Sequence, residues 1–149
     1  MKALAILTVR NEAAFLLEWV AHHLTTGFTD ILAFSNDCSD GTDRMLDRLA
    51  EMGLLTHIRN DGPHAEGPQW AALKRADKHP LRKKADWIMV VDIDEFVNIH
   101  ADDHTLAVDV RDGQREPLRQ AQPPGIDREE TRATPVILHG PQQIGRAHV

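Results

Sequence analysis

The chain has 149 residues, a formal net charge of −6, 42% hydrophobic residues and 27% charged residues, which fits one globular domain and excludes a disordered or fibrous chain. The acidic balance, without a basic stripe, argues against nucleic acid as a partner, because phosphate backbones are bound by clustered Lys and Arg. The single cysteine, Cys38, allows no internal disulfide, and no segment is long and apolar enough for a signal peptide or a membrane span. We therefore expect a cytoplasmic protein without a transmembrane segment.

Four short apolar segments predict the strands of a sheet. Residues 3–9 are continuously apolar, which is typical of a strand covered by helices on both faces. Residues 30–35 and 87–91 have the same character, and residues 54–58 predict a shorter strand. Strands that alternate with helices in this way predict an α/β fold with a mostly parallel sheet and flanking helices.

Three helices are predicted between these strands. Asn11 can cap the first helix and Gly27 can end it. The apolar stripe of this helix is Leu16, Leu17, Val20 and Leu24. The second helix ends before Gly53 and has Met45, Leu49 and Met52 as its stripe. The third helix opens at Pro68 and stops at Pro80.

An Asp-x-Asp pair follows the fourth strand directly and is the strongest chemical signal in the chain. Asp92 and Asp94 lie two residues apart, and in an extended segment their carboxylates point to the same side. Two such carboxylates can hold one hard divalent cation, Mn²⁺ or Mg²⁺. In open α/β sheets, ligands bind beyond the carboxyl ends of the strands, where this pair is predicted to lie. An ordinary acidic turn is the competing interpretation.

Polar residues also follow the first strand. Thr8, Arg10, Asn11 and Glu12, together with the amides at the start of the first helix, could hold a nucleotide base or phosphate. The alternative is simple helix capping by Asn11.

A third polar cluster, residues 36–42, follows the second strand. It pairs the carboxylate of Asp37 with small residues that let a flat ligand approach the backbone closely. The alternative is a plain turn in which Asp40 or Thr42 caps the second helix.

The order of the three clusters resembles the glycosyltransferase family 2 group, whose members have the Rossmann-like GT-A fold and move a sugar from a nucleotide-sugar donor. The matching segments are TVRNE at residues 8–12, NDCSDGT at 36–42 and VDIDEF at 91–96. This resemblance implies that the partners are a nucleotide-sugar donor and an acceptor, a glycan, lipid or protein, which the residues do not identify.

The resemblance also implies a role for each site residue. Thr8 and Glu12 would line the base pocket, and Asp37 would hydrogen-bond the base. Asp92 would face the ribose and the metal, and Asp94 would ligate the metal.

Residues 108–149 differ from the rest of the chain. They hold five of the eight prolines and no aromatic residue, and only residues 136–138 could form a strand. We expect residues 1–107 to be the N-terminal part of a glycosyltransferase domain and residues 108–149 to be an irregular tail. The family's acceptor site and general base belong to a second half that these residues do not supply, so we expect this chain to be truncated and inactive.

The last residues suggest an origin for the tail. Residues 143–149 back-translate to a common sequencing-library adapter, so we hypothesise that residues 144–149 are adapter-derived and that the reading frame slipped near Ala107. Reading the genomic locus would test this.

Two alternative functions stay open from the sequence. One is a haloacid-dehalogenase-like phosphohydrolase, in which the Asp-x-Asp supplies a nucleophile and an acid, although that chemistry expects the pair on an early strand. The other is a nucleotide-binding module without catalysis.

Overall fold

The computed structural model describes residues 1–100 and 104–106, and the backbone of residues 137–139. The strands are β1 (Ala3–Val9), β2 (Asp30–Ser35), β3 (Thr56–Arg59), β4 (Trp87–Val90) and β5 (Ile137–His139). The helices are α1 (Ala13–Thr25), α2 (Thr42–Glu51), α3 (Pro68–Lys78) and α4 (Pro80–Lys84). The predicted irregular tail and the adapter-derived end otherwise fall outside the described residues.

The sheet has the strand order β3-β2-β1-β4-β5. The first four strands in this order are parallel to one another, and β5 pairs antiparallel with β4. The predicted α/β class with a mostly parallel sheet is therefore confirmed. The short strand expected at residues 136–138 lies at Ile137–His139.

Strand β1 lies in the centre of the sheet and is buried on both faces. On one face Ala5 and Leu7 pack beneath α1 and α2, and on the other Leu4 and Ile6 pack against α3. This arrangement explains the continuous apolar run, because a strand covered on both sides has no solvent face.

Two of the predicted helix stripes are wrong in part. Leu17 is 57% exposed, whereas Trp19 in the same helix is fully buried. Met52 lies beyond the end of α2 and is 59% exposed, whereas Leu46, which was not in the predicted stripe, is fully buried. In both helices the core-facing side is rotated from the predicted stripe, because neighbouring segments decide which part of a broad apolar face is covered.

Pro80 ends α3 as predicted, but it also begins the separate short helix α4, which the sequence reading missed. Proline is well suited to the first turn of a helix, where its missing N–H would have no helical partner. His79 caps α4, its Nδ1 accepting a hydrogen bond from the amide of Leu81 at 3.3 Å.

The segment that follows β4 lies against α1. We call residues 92–100 and 104–106 the post-β4 segment. The Trp19 indole Nε1 donates to the carbonyl oxygen of Asp92 at 2.8 Å, and His22 Nε2 lies 2.8 Å from the carbonyl oxygen of Val97. Further along, the amide of Leu106 donates to the carbonyl oxygen of Thr26 at 2.8 Å. Helix α1 and its C-cap residue Thr26 thus contact this segment at Asp92, Val97 and Leu106.

Gly27 provides a test of this packing. Its φ is +101°, and a Cβ built on it would lie 3.0 Å from the backbone nitrogen of Leu106. Gly53 has a φ of +75° and no atom within 4 Å of such a Cβ, so it is the matched control. We expect Gly53→Ala to lower the free energy of unfolding by about 1 kcal/mol through backbone strain alone. Gly27→Ala should lower it by about 2 kcal/mol or more, because the contact adds to the strain.

Urea unfolding followed by circular dichroism measures both values. Equal losses for the two variants would contradict the packing of Leu106 against Gly27.

Candidate functional site

A cleft of about 520 Å³ opens between the end of β1, the start of α1 and the turn after β4. We call it the β1–β4 cleft. Its lining residues are Thr8, Val9, Arg10, Glu12, Phe15, Asp92, Ile93, Asp94 and Phe96. The structure therefore brings five of the predicted site residues together at the carboxyl edge of the parallel sheet, where ligands bind in such folds.

The Asp-x-Asp segment is a turn, which corrects the prediction of an extended conformation. The amide of Glu95 donates to the carbonyl oxygen of Asp92 at 3.1 Å, which closes a four-residue turn. The Glu95 carboxylate in turn accepts from the amide of Asp92 at 3.1 Å. Both Asp92 and Asp94 nevertheless line the cleft.

Negative charge is concentrated on this turn. Partial burial raises the pKa of Asp92 above its ordinary value, and the neighbouring carboxylates of Glu95 and Asp94 raise it further. The surroundings of Asp92 therefore disfavour its ionised form, and a bound cation would reduce the repulsion between the carboxylates.

The Thr8 hydroxyl is the second unusual group in the cleft. Its Oγ1 is buried and has no hydrogen-bond partner among the described residues. Buried polar atoms are nearly always paired in folded proteins, so an unpaired one on a residue that lines a cleft makes that residue a candidate contact for a ligand.

Asn11 does not cap α1, which corrects another prediction. Glu12 is the N-cap residue and makes no side-chain capping bond. Asn11 has a positive φ of 54°, and its Oδ1 accepts from the amide of Ser39 at 2.7 Å. Its side chain therefore ties the loop after β1 to the loop after β2 and is not among the residues that line the cleft.

Two amides at the start of α1, those of the N-cap Glu12 and of Ala13, are also occupied. The amide of Glu12 donates to Thr42 Oγ1 at 2.9 Å, and the amide of Ala13 donates to Asp40 Oδ2 at 3.1 Å. Hydrogen bonds from the hydroxyl and amide of Thr42 lower the pKa of Asp40, with a further contribution from Ala13. These two amides are therefore not free to bind a phosphate, and a phosphate-binding role for the other amides at the start of α1 stays a prediction.

Asp37 lies outside the lining of the β1–β4 cleft. Its amide donates to Asp61 Oδ1 at 2.8 Å, and its own Oδ1 accepts from the amide of Gly62 at 3.2 Å. These bonds tie the loops after β2 and β3 together. The side chain is exposed, so a base-binding role for Asp37 stays a prediction.

The described side chains alone do not form a complete metal site, so a bound ligand would have to supply further metal ligands. Within residues 1–100 and 104–106, no group of three or more His, Cys, Asp or Glu side chains is placed to hold a metal ion. Asp92 and Asp94 offer two carboxylates, and Mg²⁺ bound with a nucleotide commonly takes one or two carboxylates together with phosphate oxygens and waters. The donor set therefore fits a cation shared with a diphosphate.

Three aromatic residues near the site were given no role from the sequence, although Phe96 belongs to the VDIDEF segment. Phe15 and Phe96 line the cleft and are 56% and 41% exposed. Trp19 is fully buried, and its indole N–H donates to the carbonyl oxygen of Asp92. Phe15 could have been identified from the sequence, because it is an aromatic residue of α1 that falls outside the apolar stripe of that helix.

A Ser-His-Asp arrangement on β2, β3 and α2 was not predicted. His57 Nε2 lies 2.8 Å from Ser35 Oγ, and His57 Nδ1 lies 2.6 Å from Asp47 Oδ1. Ser35 is fully buried, so its hydroxyl is out of reach of a substrate. This network joins the sheet to α2 and is not a nucleophilic site.

Comparison with known proteins shows that the chain is similar in structure to solved proteins. No protein-family model matches the chain, and no curated protein matches it. Three structures of S. aureus TarS are similar over 66% of this chain at 18% identity. One has a TM-score of 0.49 and is covered over 17% of its length. The structure of TarS residues 1–349 in complex with UDP-GlcNAc has a TM-score of 0.47, and this chain covers 28% of its length. The structure of TarS residues 1–349 alone has a TM-score of 0.48, and this chain covers 29% of its length.

This chain therefore spans less than a third of the length of each of these three structures. A likeness at these scores carries no argument about function, which rests on the cleft itself. In the part of the chain that the structure describes, no helix is long and apolar enough to cross a membrane.

The raised pKa of Asp92 makes a prediction about stability. Unfolded Asp titrates near 3.8, and folded Asp92 titrates higher, so its ionised form destabilises the fold at neutral pH. We expect Asp92→Asn to raise the melting temperature at pH 7 without added cation. The gain should shrink as the pH falls through the two pKa values, because Asp92 is then protonated in both states.

Thermal unfolding between pH 3 and pH 8 tests this, with Asp30→Asn at the start of β2 as the control. A lower melting temperature for Asp92→Asn at pH 7 would count against the described environment of Asp92.

Proposed function

We propose that this chain is the nucleotide-binding part of a glycosyltransferase that takes a nucleotide-sugar donor and depends on a divalent cation. The observation that carries the proposal is the β1–β4 cleft, which is lined by Asp92, Asp94 and Thr8, a residue whose buried hydroxyl has no partner among the described residues. The family resemblance of the three polar segments supports the same assignment.

The charge of the cleft supports a requirement for a cation. Among the described residues that line the cleft, Arg10 is the one basic residue, against the carboxylates of Glu12, Asp92 and Asp94. A diphosphate would be repelled by this excess of negative charge unless a divalent cation were bound with it. Mn²⁺ and Mg²⁺ both suit carboxylate oxygens.

Each lining residue has a proposed task. Asp92 and Asp94 hold the cation, and Arg10 at the exposed rim faces the phosphates. Thr8 and Glu12 offer an alcohol and a carboxylate for hydrogen bonds to the base or ribose. The cation supplies charge neutralisation for the departing diphosphate.

Removal of the acceptor's proton needs a general base. Asp92 and Asp94 are committed to the cation in this proposal, so we assign the base and the acceptor site to residues outside those described. Binding of a nucleoside diphosphate is therefore the property to test in this chain, rather than sugar transfer.

Calorimetric titration with UDP and GDP, with and without Mn²⁺, tests the proposal. We expect binding of one nucleotide that requires Mn²⁺ and falls at least about tenfold in Asp94→Ala. Thr8→Val should weaken binding about fivefold, the value of one hydrogen bond. It should leave the melting temperature unchanged or raised, because the lost hydroxyl has no described partner.

Thr25→Val, an exposed position on α1, is the matched control and should bind as the parent does. Binding without any need for a cation would contradict the proposal, and so would a failure of both nucleotides to bind. Trapping of a phosphoaspartate at Asp92 would favour the phosphohydrolase alternative.

A further inference from the structure

Trp19 contacts the backbone of the turn that carries the two aspartates. Its side chain is fully buried, and its indole N–H donates to the carbonyl oxygen of Asp92 at 2.8 Å. The same oxygen accepts the amide of Glu95 at 3.1 Å, the bond that closes the turn. One carbonyl oxygen therefore joins the turn to α1.

Trp19 is itself held by the residues around it. The ring of His23 lies 4.0 Å from that of Trp19, and His23 Nδ1 lies 2.8 Å from the Trp19 carbonyl oxygen. His23 is fully buried, and burial lowers its pKa, so the ring is neutral near pH 7.

Phe96 completes this packing at the other end of the turn. Its ring is stacked over His23 at 6.3 Å and meets the edge of His22 at 5.1 Å. Helix α1 therefore contacts the turn before Asp94, through Asp92, and after it, through Phe96.

We propose that Trp19 is a positioning residue that holds the Asp92–Asp94 turn in the conformation that presents both carboxylates to the β1–β4 cleft. This inference rests on the proposed function, since it concerns the same cation site. The turn carries three carboxylates within four residues, which repel one another when no cation is bound. An anchor on the backbone keeps the turn ordered without using a carboxylate oxygen, so both aspartates stay available to the cation.

The main test compares Trp19→Phe with Trp70→Phe, because Trp70 is 59% exposed and lies on α3. Two quantities are measured in each variant: the affinity for UDP with Mn²⁺, and amide hydrogen exchange of residues 92–97. In Trp19→Phe we expect affinity to fall about tenfold and exchange of residues 92–97 to quicken, with protection of β1 and β2 retained. Trp70→Phe should change neither quantity.

A second replacement removes only the donor, in case Trp19→Phe unfolds the chain. In a Trp70→Phe, Trp87→Phe background, Trp19 is replaced during expression by benzothienylalanine, which keeps the bicyclic shape and has sulfur in place of N–H. The same loss of affinity and faster exchange are expected, with the fold intact by circular dichroism.

The outcomes separate this inference from the proposed function. If the parent binds UDP with Mn²⁺ and the Trp19 variants bind equally well with unchanged exchange, the positioning role is overturned and the proposed function stands. If the parent binds no nucleotide, the proposed function fails and exchange alone decides: faster exchange at residues 92–97 supports Trp19 as the anchor of the turn, and unchanged exchange overturns it.

Discussion

The burial of β1 between two parallel neighbours is the constraint on which the rest of the structure depends. The strand pairs with β2 from Leu4 to Val9 and with β4 from Ala3 to Ile6, so all three strands point the same way. Their carboxyl ends therefore meet at one edge, and the polar residues after each strand are brought to that edge. A strand with no solvent face also has little freedom to slip in register, because a shift by one residue would exchange its two buried faces.

The loops at this edge are held largely by one another. The Asp40 carboxylate accepts bonds from Ala13 at the start of α1 and from Thr42 at the start of α2, so one side chain joins two helices. Asn11 and Asp37 make similar links to neighbouring loops. Some polar groups that were predicted to bind a ligand therefore bond to neighbouring loops instead. The residues that remain to face the cleft include Thr8, Glu12, Asp92 and Asp94.

Much of the fold could be predicted from the sequence because its signals are local. The continuous apolar run at residues 3–9 reports burial on both faces, and the Asp-x-Asp pair follows directly from the end of a strand. The parallel sheet and the position of the candidate site follow from these two observations.

The details that could not be predicted depend on contacts between distant residues. Trp19 and Asp92 are 73 residues apart, and the turn conformation of the aspartates depends on that bond and on Glu95. Asp40 and Ala13 are 27 residues apart, so no spacing rule identifies Asp40 as the partner of the α1 amide. Leu17 and Trp19 are both apolar, and Trp19 is the one buried because it belongs to the core cluster that α1 forms with the sheet and α2.

The contacts along α1 also limit where the chain can change length. Trp19 and His22 are one helical turn apart, a rise of about 4.5 Å, and they fix Asp92 and Val97. An insertion or deletion between Asp92 and Val97 would disrupt the turn or its contacts with α1. From His22 to Thr26 the helix rises only about 6 Å, whereas the nine residues from Val97 to Leu106 could span about 30 Å if extended. Length variation among related chains is therefore expected after Val97, where it leaves both aspartates in place.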